Sequence, residues 1–326
     1  MKGEEIRAFL GKDWTRVQEL IRSALSSDIR LLNRVNREVL SRSGKQLRPM
    51  VSLLMAMACS QDGHVTESSL RYAAAAELLH NATIMHDDVA DGSKTRRGAP
   101  TVSARIGERA AVLLGDFWLS RAVSEVMDAS HHDNVARLFS KTLSDLSEGE
   151  MLQLQKSEDA DTCEEDYYRI IYCKTVSLFE AASVSGAISV DATLERQEAA
   201  ARYAGALGTA FQIKDDILDY QGGESLGKPM GVDIREGKIT LPLLGAFRNA
   251  PSSERKIRKK LAGGGLSADD CERITAYVKD NGGVEYASSC LDRYILEAES
   301  ALDIFEDSPQ KDYLVQIAAF NAYRKV

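Results

Sequence analysis

Apolar residues return every three or four positions through most of this chain, the signature of helices with one buried face. In "WTRVQELIRSALSSDIRLLNRVNREVL" (14–40) the period runs through Val17, Leu20, Ala24, Ile29, Leu32, Val35 and Val39. "MVSLLMAMACS" (50–60) and "LRYAAAAELLHNATIMHDDVAD" (70–91) are apolar around most of the helix circumference, which predicts helices enclosed on all sides. The pattern continues through "RAAVLLGDFWLSRAVSEVMDAS", "NVARLFSKTLSDLSEGEMLQLQ", "EEDYYRIIYCKTVSLFEAASVSGAI" and "EAAARYAGALGTAFQIKDDILDY". "ADDCERITAYVKDNGGVEYASSCLDRYILEAESALDIF" and "KDYLVQIAAFNAYRKV" carry it to the last residue. No run at the two-residue period of a strand competes with it. The expected architecture is all-α: a bundle of about ten or more helices forming one domain over residues 1–326.

Gly, Pro and charge clusters mark the interruptions. Three bear on function: "SRSGKQLRP" (41–49), "GSKTRRGAPTV" (92–102) and "QGGESLGKPMGVDIREGKITLP" (221–242). A fourth, the basic "PSSERKIRKKLAGGGLS" (251–267), reads as a solvated turn and helix face. Net charge is −8, from 49 acidic and 41 basic residues. That balance argues against a nucleic-acid-binding surface spread over the whole protein while permitting local basic pockets. The five cysteines are scattered, with no C-x-x-C pair. Neither a disulfide framework nor a zinc site is suggested, and a cytoplasmic location is expected. The beginning, "MKGEEIRAFLGKDW", has no apolar signal core, and no apolar run is long enough to span a membrane.

Candidate chemistry concentrates in two carboxylate clusters. Asp87 and Asp91 in "HDDVADG" lie four apart at the end of an apolar helix, hence on one face and one turn apart. Asp215 and Asp219 in "KDDILDY" repeat the spacing, and Asp88 and Asp216 stand beside the pairs. Like charges at this spacing destabilise a helix by a few tenths of a kcal/mol. One cluster is as readily a solvated helix end. Two, each following an apolar helix, point to a hard cation, and Mg²⁺ binds through one or two carboxylates plus water and substrate phosphate. Several Mg²⁺ ions around a diphosphate would suit such a pair.

The cations fit the same ligand. Arg96 and Arg97 directly follow the first cluster, and Arg grips phosphate oxygens bidentately. Lys45 and Arg48 sit in "GKQLRP", a turn before a helix. Lys174-Thr175 interrupts the apolar "RIIYCKTVSLFE", where a Lys either snorkels or points into a site. Lys228 and Lys238 flank a Gly-rich loop after the second cluster. His80 precedes Asp87 by seven residues, on nearly the same helix face. A lone His is more often a core residue; two turns below an acidic mouth it can donate to phosphate.

Together "GKQLRPM", "LLHNATIMHDDVADGSKTRRGAPT" and "FQIKDDILDY…LGKPMGVDIREGKITLPLL" resemble the trans-isoprenyl diphosphate synthases, or polyprenyl synthetases, nearly end to end. Gln46 departs from the pattern, since many members carry Arg there. The resemblance implies a bundle of long helices around a deep central cavity, usually a homodimer. It implies head-to-tail 1′-4 condensation of isopentenyl diphosphate onto an allylic diphosphate. By position, Lys45, Arg48, His80 and Arg97 would bind isopentenyl diphosphate. Asp87, Asp88, Asp91, Asp215 and Asp219 would surround Mg²⁺ on the allylic diphosphate, which Arg96, Lys174, Lys228 and Lys238 would grip. Thr175 and Gln212 would lie near the reacting carbon. Ala82 and Thr83, just below Asp87, would bound the growing chain. In the family, aromatic residues there mark short-chain enzymes, and their absence here looks most like the long-chain enzymes of octaprenyl type. Transient membrane contact would then accompany product release. Three other readings stand beside this one: a farnesyl or geranylgeranyl diphosphate synthase, a class I terpene cyclase and a silent partner subunit. The last two do not account for the "GKQLRP" turn with His80, or for both intact sets of charges.

Overall fold

The computed structural model describes residues 3–42, 44–96, 98–221 and 231–323, with side chains to 320. Sixteen α-helices lie among them. They are α1 (Gly3–Ala24), α2 (Arg30–Ser41), α3 (Leu47–Cys59), α4 (Glu67–Ala90), α5 (Val102–Ile106), α6 (Glu108–Met127), α7 (His132–Asp159) and α8 (Glu164–Ile171). After a π-helical turn at Tyr172–Val176 come α9 (Ser177–Ile188), α10 (Leu194–Gln221), α11 (Val232–Arg235), α12 (Leu241–Asn249), α13 (Glu254–Ala262), α14 (Ala268–Asp280), α15 (Gly283–Ser300) and α16 (Pro309–Tyr323). Two-residue strands, β1 (Thr95–Arg96) and β2 (Ala99–Pro100), pair antiparallel in the loop after α4. The all-α expectation holds, and no described helix is long and apolar enough to cross a membrane.

The chain forms two compact units. The first comprises Met1–Ser140, Ala181–Ala201 and Ile304–Leu314; the second comprises Lys141–Glu180, Arg202–Asp303 and Val315–Val326.

In the first unit, α4 packs on α6, α3 and α1. Thr66 starts α4 with a capping box: its hydroxyl accepts from Ser69 N at 3.1 Å, and Ser69 Oγ accepts from Thr66 N at 3.0 Å. Two of the orphan amides of a helix start are thereby satisfied. Ala73–Ala76, Leu78 and Leu79 are all buried, so α4 is enclosed as its continuous apolar pattern predicts. The periodic run from Trp14 to Leu40, by contrast, is not one helix. It breaks at 25–29, where Ser27 N donates to Asn33 Oδ1 at 3.1 Å and leaves Ile29 58% exposed. Short polar side chains offer the backbone these local partners, and the helix yields to them. Asn36 then ties the break to α6: it donates to Leu25 O and accepts from the buried Trp118 indole, both at 2.9 Å.

The core of the second unit gathers Tyr167, Ile171, Ile217, Tyr220, Leu241 and Phe247, with α12 packed on α14 and α15. The basic stretch after residue 250 contains α13. Arg258 lies over the Phe247 ring at 4.9 Å and donates to Ala160 O and Thr162 O. Its aliphatic stem covers core while its guanidinium satisfies loop carbonyls.

Candidate active site

In the first unit the "GKQLRP" turn is held from α1, where Arg7 donates to Gly44 O at 3.4 Å and Lys45 O at 3.3 Å. Gln46 adopts φ 53°, a left-handed conformation, and is buried as the residue before α3. That conformation is uncommon outside Gly, and it turns the chain so that Lys45 remains exposed while Arg48 enters the first turn of α3. Pro49 is tolerated there because first-turn amides need no intrahelical partner. Burial lowers the Arg48 guanidinium to about 10, partly offset by the negative charge of Glu77, so Arg48 stays charged near neutrality. Glu77 is buried on α4 and accepts from Asn81 Nδ2 at 3.0 Å.

His80, Thr83 and Asp87 are half-buried on α4, and Ala82 is buried. Thr83 Oγ1 donates back to His80 O at 2.9 Å, so its hydroxyl is already satisfied within the helix. Asp91 is exposed and caps α4, its N–H donating to Asp87 O at 2.8 Å. Asp88 differs from both: it is 3% exposed and accepts from Arg96 Nε at 2.8 Å. A predicted metal ligand and a predicted phosphate clamp are therefore partners of each other here. His86 lies against α6, where Gly115 makes room for its ring, and its Nε2 is 3.3 Å from Asp116. Arg97 lies outside the described residues, as does Lys228.

In the second unit, Lys174 and Thr175 occupy the π-helical turn between α8 and α9. A π-turn inserts one extra residue and frees a carbonyl from the regular ladder, and such turns often mark functional sites. Ser177 Oγ donates to Cys173 O at 2.9 Å, which answers that need. Two helix-interior glycines let neighbours approach closely. A Cβ at Gly149 of α7 would stand 2.5 Å from Cys173 Cβ, and one at Gly208 of α10 would stand 3.0 Å from Val176 Cα. Lys174 Nζ sits between Glu150, at 2.5 Å, and Gln153 Oε1, at 2.6 Å. It is directed at polar groups of α7 and is not snorkelling outward.

A chain of side-chain hydrogen bonds follows on α10. Thr175 Oγ1 donates to Gln212 Oε1 at 2.9 Å, and Gln212 Nε2 donates to Asp216 Oδ1 at 2.9 Å. Tyr167 OH donates to the other carboxylate oxygen, Asp216 Oδ2, at 2.6 Å. The predicted pair Thr175 and Gln212 is thus brought into contact. Asp216, set aside in favour of Asp215 and Asp219 in the sequence reading, is the buried member of the trio. Asp219 accepts from Val232 N at 3.1 Å and Asp233 N at 3.2 Å, capping α11 from outside, while Asp215 is half-buried. Lys238 pairs with Glu236 at 2.5 Å.

Burial and mutual repulsion push this second carboxylate cluster toward its neutral form. Asp216 is raised by burial and then by the charge of Asp233. Asp219 is raised by burial, against the pull of the Asp233 and Val232 amides. Asp233 is pushed up to about 7 by burial and then by Asp219, with Lys238 opposing. Sequence reasoning passed over Asp233, Tyr167, Glu150 and Gln153. The available signals were a lone Asp in the "GVDIREGK" loop and glycines inside two helices.

Residues 29–278 match the profile of the polyprenyl synthetase family. The chain belongs to that family. As a polyprenyl synthetase it is an enzyme, a prenyltransferase of all-α fold. It is 39% identical to an all-trans-nonaprenyl-diphosphate synthase (geranyl-diphosphate specific) of Rhodobacter capsulatus, over 95% of this chain and 93% of the relative. It is 36% identical to the octaprenyl diphosphate synthase of Escherichia coli K12, over 98% of both chains. Among solved structures, a decaprenyl diphosphate synthase from Rhodobacter capsulatus superposes with TM-score 0.92 at 33% identity, covering 99% of each chain. A polyprenyl synthase from Caulobacter crescentus, solved with calcium and isoprenyl diphosphate, superposes with TM-score 0.91 at 31% identity, covering 100% of this synthetase and 98% of that chain.

Proposed function

We propose that this enzyme adds isopentenyl diphosphate repeatedly, head to tail, to an allylic diphosphate and makes a long all-trans polyprenyl diphosphate of the octaprenyl class, from a single synthetase domain spanning the chain. The observation that carries the reading is that both aspartate clusters, with their attendant cations, lie in a chain similar over nearly its whole length to octaprenyl and nonaprenyl diphosphate synthases. The small Ala82 and Thr83 before Asp87 on α4 support a long product, because neither carries the aromatic ring that marks short-chain members of the family.

The donor set fits divalent metal, and Mg²⁺ is the ion proposed. All donors are carboxylate oxygens, the class a hard cation prefers. Burial raises Asp216, Asp219 and Asp233, and neighbouring negative charge raises them further; a bound cation would offset that second contribution. Mg²⁺ is commonly held by one or two carboxylates together with substrate phosphate and water. Asp87, Asp91 and Asp215 would hold the ions. Asp88 and Asp219 would serve once released from Arg96 and the α11 amides. Bound Mg²⁺ supplies Lewis-acid neutralisation of the departing diphosphate.

The chain's own residues do the rest. Lys174, Lys238, Arg96 and Lys228 would hold the allylic diphosphate. Lys45, Arg48, His80 and Arg97 would hold that of isopentenyl diphosphate. The oxygens of Thr175 and Gln212 would face the developing allylic cation, and enclosed apolar side chains would keep water from it. The departing diphosphate would take the proton, since the carboxylates are committed to metal. Exposed apolar Val112, Leu113, Val123 and Met127 on α6 fall within about 100° of arc and support a homodimer. The five free thiols support a cytoplasmic location. Transient membrane contact would receive the product.

Incubation with labelled isopentenyl diphosphate and farnesyl diphosphate, with and without Mg²⁺, tests the reading. Metal-dependent formation of a long polyprenyl diphosphate is expected. A product that stops at farnesyl or geranylgeranyl diphosphate under excess isopentenyl diphosphate overturns the chain-length assignment, and cyclised hydrocarbon overturns the reaction.

A further inference from the structure

We propose that Glu150 is a counter-charge to Lys174 that keeps the grip on the allylic diphosphate weak enough for its site to empty after every condensation. This rests on the assignment of Lys174 to the allylic diphosphate given under Proposed function.

The need for release follows from the bonds exchanged. Each condensation breaks the C–O bond of the allylic diphosphate, forms a C–C bond to isopentenyl diphosphate and gives the lost proton to the departing diphosphate. The lengthened chain carries the diphosphate that arrived on isopentenyl diphosphate. The departed one must therefore leave the allylic site before the next round. Cations there help the C–O bond to break, and the same cations hold the diphosphate afterwards. A site that only gathered positive charge would retain its leaving group.

The structure offsets that charge at Lys174. An ammonium has three donors and no acceptor. Two are taken, by Glu150 Oε2 at 2.5 Å and Gln153 Oε1 at 2.6 Å, and one is left for a phosphate oxygen. The Lys174–Glu150 pair brings no net charge to an arriving anion, whereas Gln153 is a neutral acceptor and holds Lys174 without opposing the ligand. Glu150 is brought in by the close approach of α7 to the π-turn, where a Cβ on Gly149 would stand 3.0 Å from Lys174 Cγ. The Lys174 and Glu150 side chains keep 24% and 23% of their surface exposed, so an anion in solution can reach both. Arg96 and Lys238 also rest on carboxylates, Asp88 at 2.8 Å and Glu236 at 2.5 Å. Asp88 is assigned to metal, and Glu236 lies two residues from its lysine. Glu150 comes from a separate helix and has no other part in the reaction.

The test is calorimetric titration of the full-length enzyme with inorganic diphosphate, with and without Mg²⁺. Glu150→Gln keeps the side-chain shape and removes the charge. Its dissociation constant for diphosphate should fall about tenfold, because a like charge beside the anion is gone, and Lys174→Gln should raise it about as much. Gln153→Glu sets a second carboxylate on Lys174 and should weaken binding by a similar factor. With isopentenyl and farnesyl diphosphates, Glu150→Gln should give a burst of one condensation per site and then a slower steady state, the mark of turnover limited by release. Damaged packing would not tighten a ligand, so the sign of the change decides. Binding unchanged or weaker in Glu150→Gln, beside weaker binding in Lys174→Gln, overturns the counter-charge and leaves the site assignment standing. Tighter binding without a burst overturns the role in release. Unchanged binding in Lys174→Gln overturns the site assignment and the inference with it. If Glu150→Gln does not fold, Gln153→Glu decides alone, and a dissociation constant equal to that of wild type overturns the inference.

Discussion

Replacing Gly149 by Ala tests whether the close approach of α7 to the π-turn matters for turnover. The new methyl would lie 2.5 Å from Cys173 Cβ, 3.0 Å from Lys174 Cγ and 3.3 Å from Lys174 N. Ordinary carbon contacts are about 3.5–4.0 Å, so helix and turn must part by about 1 Å. The nearest atom is a Cβ fixed to the backbone, and it cannot swing aside as a side-chain tip could. Overpacking of this kind costs about 1–3 kcal/mol. The gain from Ala over Gly inside a helix returns about 1 kcal/mol, so the net loss is about 0–2 kcal/mol and the protein should remain folded. Turnover should suffer more, because Lys174 rides on the displaced turn and reaches Glu150 on the same α7. A shift of about 1 Å in a substrate-holding group can cost about 10²-fold. Expected is a modest drop in Tm together with a ten- to hundredfold drop in kcat at saturating substrates and Mg²⁺. Gly263→Ala, where the nearest atom to the new methyl is 3.5 Å away, serves as the control and should leave both unchanged. A Gly149→Ala enzyme with wild-type kcat would refute the argument that this approach positions Lys174.

Three further outcomes are expected. Arg48→Ala should raise the apparent KM for isopentenyl diphosphate about ten- to hundredfold, because one charged hydrogen bond is worth about 1.5–3 kcal/mol, and should leave that for the allylic primer within about threefold. Equal effects on both substrates in kinetic assays would show that the two diphosphate sites are misassigned. The metal-free protein should become more stable as pH falls. Asp233 is raised from 3.8 to about 7 and Asp216 and Asp219 are raised in the same direction, so the native state binds more protons than the unfolded one. Their stabilising contribution is full below about pH 4 and is lost as pH rises through about 7, by at most about 4 kcal/mol for Asp233. Thermal unfolding in EDTA should therefore show Tm rising from pH 7.5 to 5.5, and Asp233→Asn should flatten the slope; a flat wild-type profile would contradict the cluster's electrostatics. Ala82→Phe should shorten the product while sparing the first condensation, since Ala82 is buried five residues before Asp87 on α4. Chromatography showing unchanged chain length would place the floor on another element.

Helix content, the enclosed character of α4, the two aspartate clusters and the family were legible in the sequence by itself. Each depends on residues within a few positions of one another, and a helix brings positions four apart together whatever surrounds it. The pairing of roles was not legible. Asp215, Asp216 and Asp219 look alike in "KDDILDY", yet only Asp216 is buried under Tyr167, whose partner stands 49 residues away. Asp87 and Asp88 look alike in "HDDVADG", yet Asp88 is the one buried with Arg96 on it. Lys174 could equally have snorkelled, and what decides is α7, which brings Glu150 and Gln153 to it across the gap left by Gly149. The helix break at 25–29 was masked because the apolar period survives a turn that polar side chains then claim. Periodicity reports which face of a segment is apolar, whereas the partner of a polar atom is chosen by whichever distant segment packs against it. Burial then makes that choice consequential, because a polar group removed from water must find its partner in the protein.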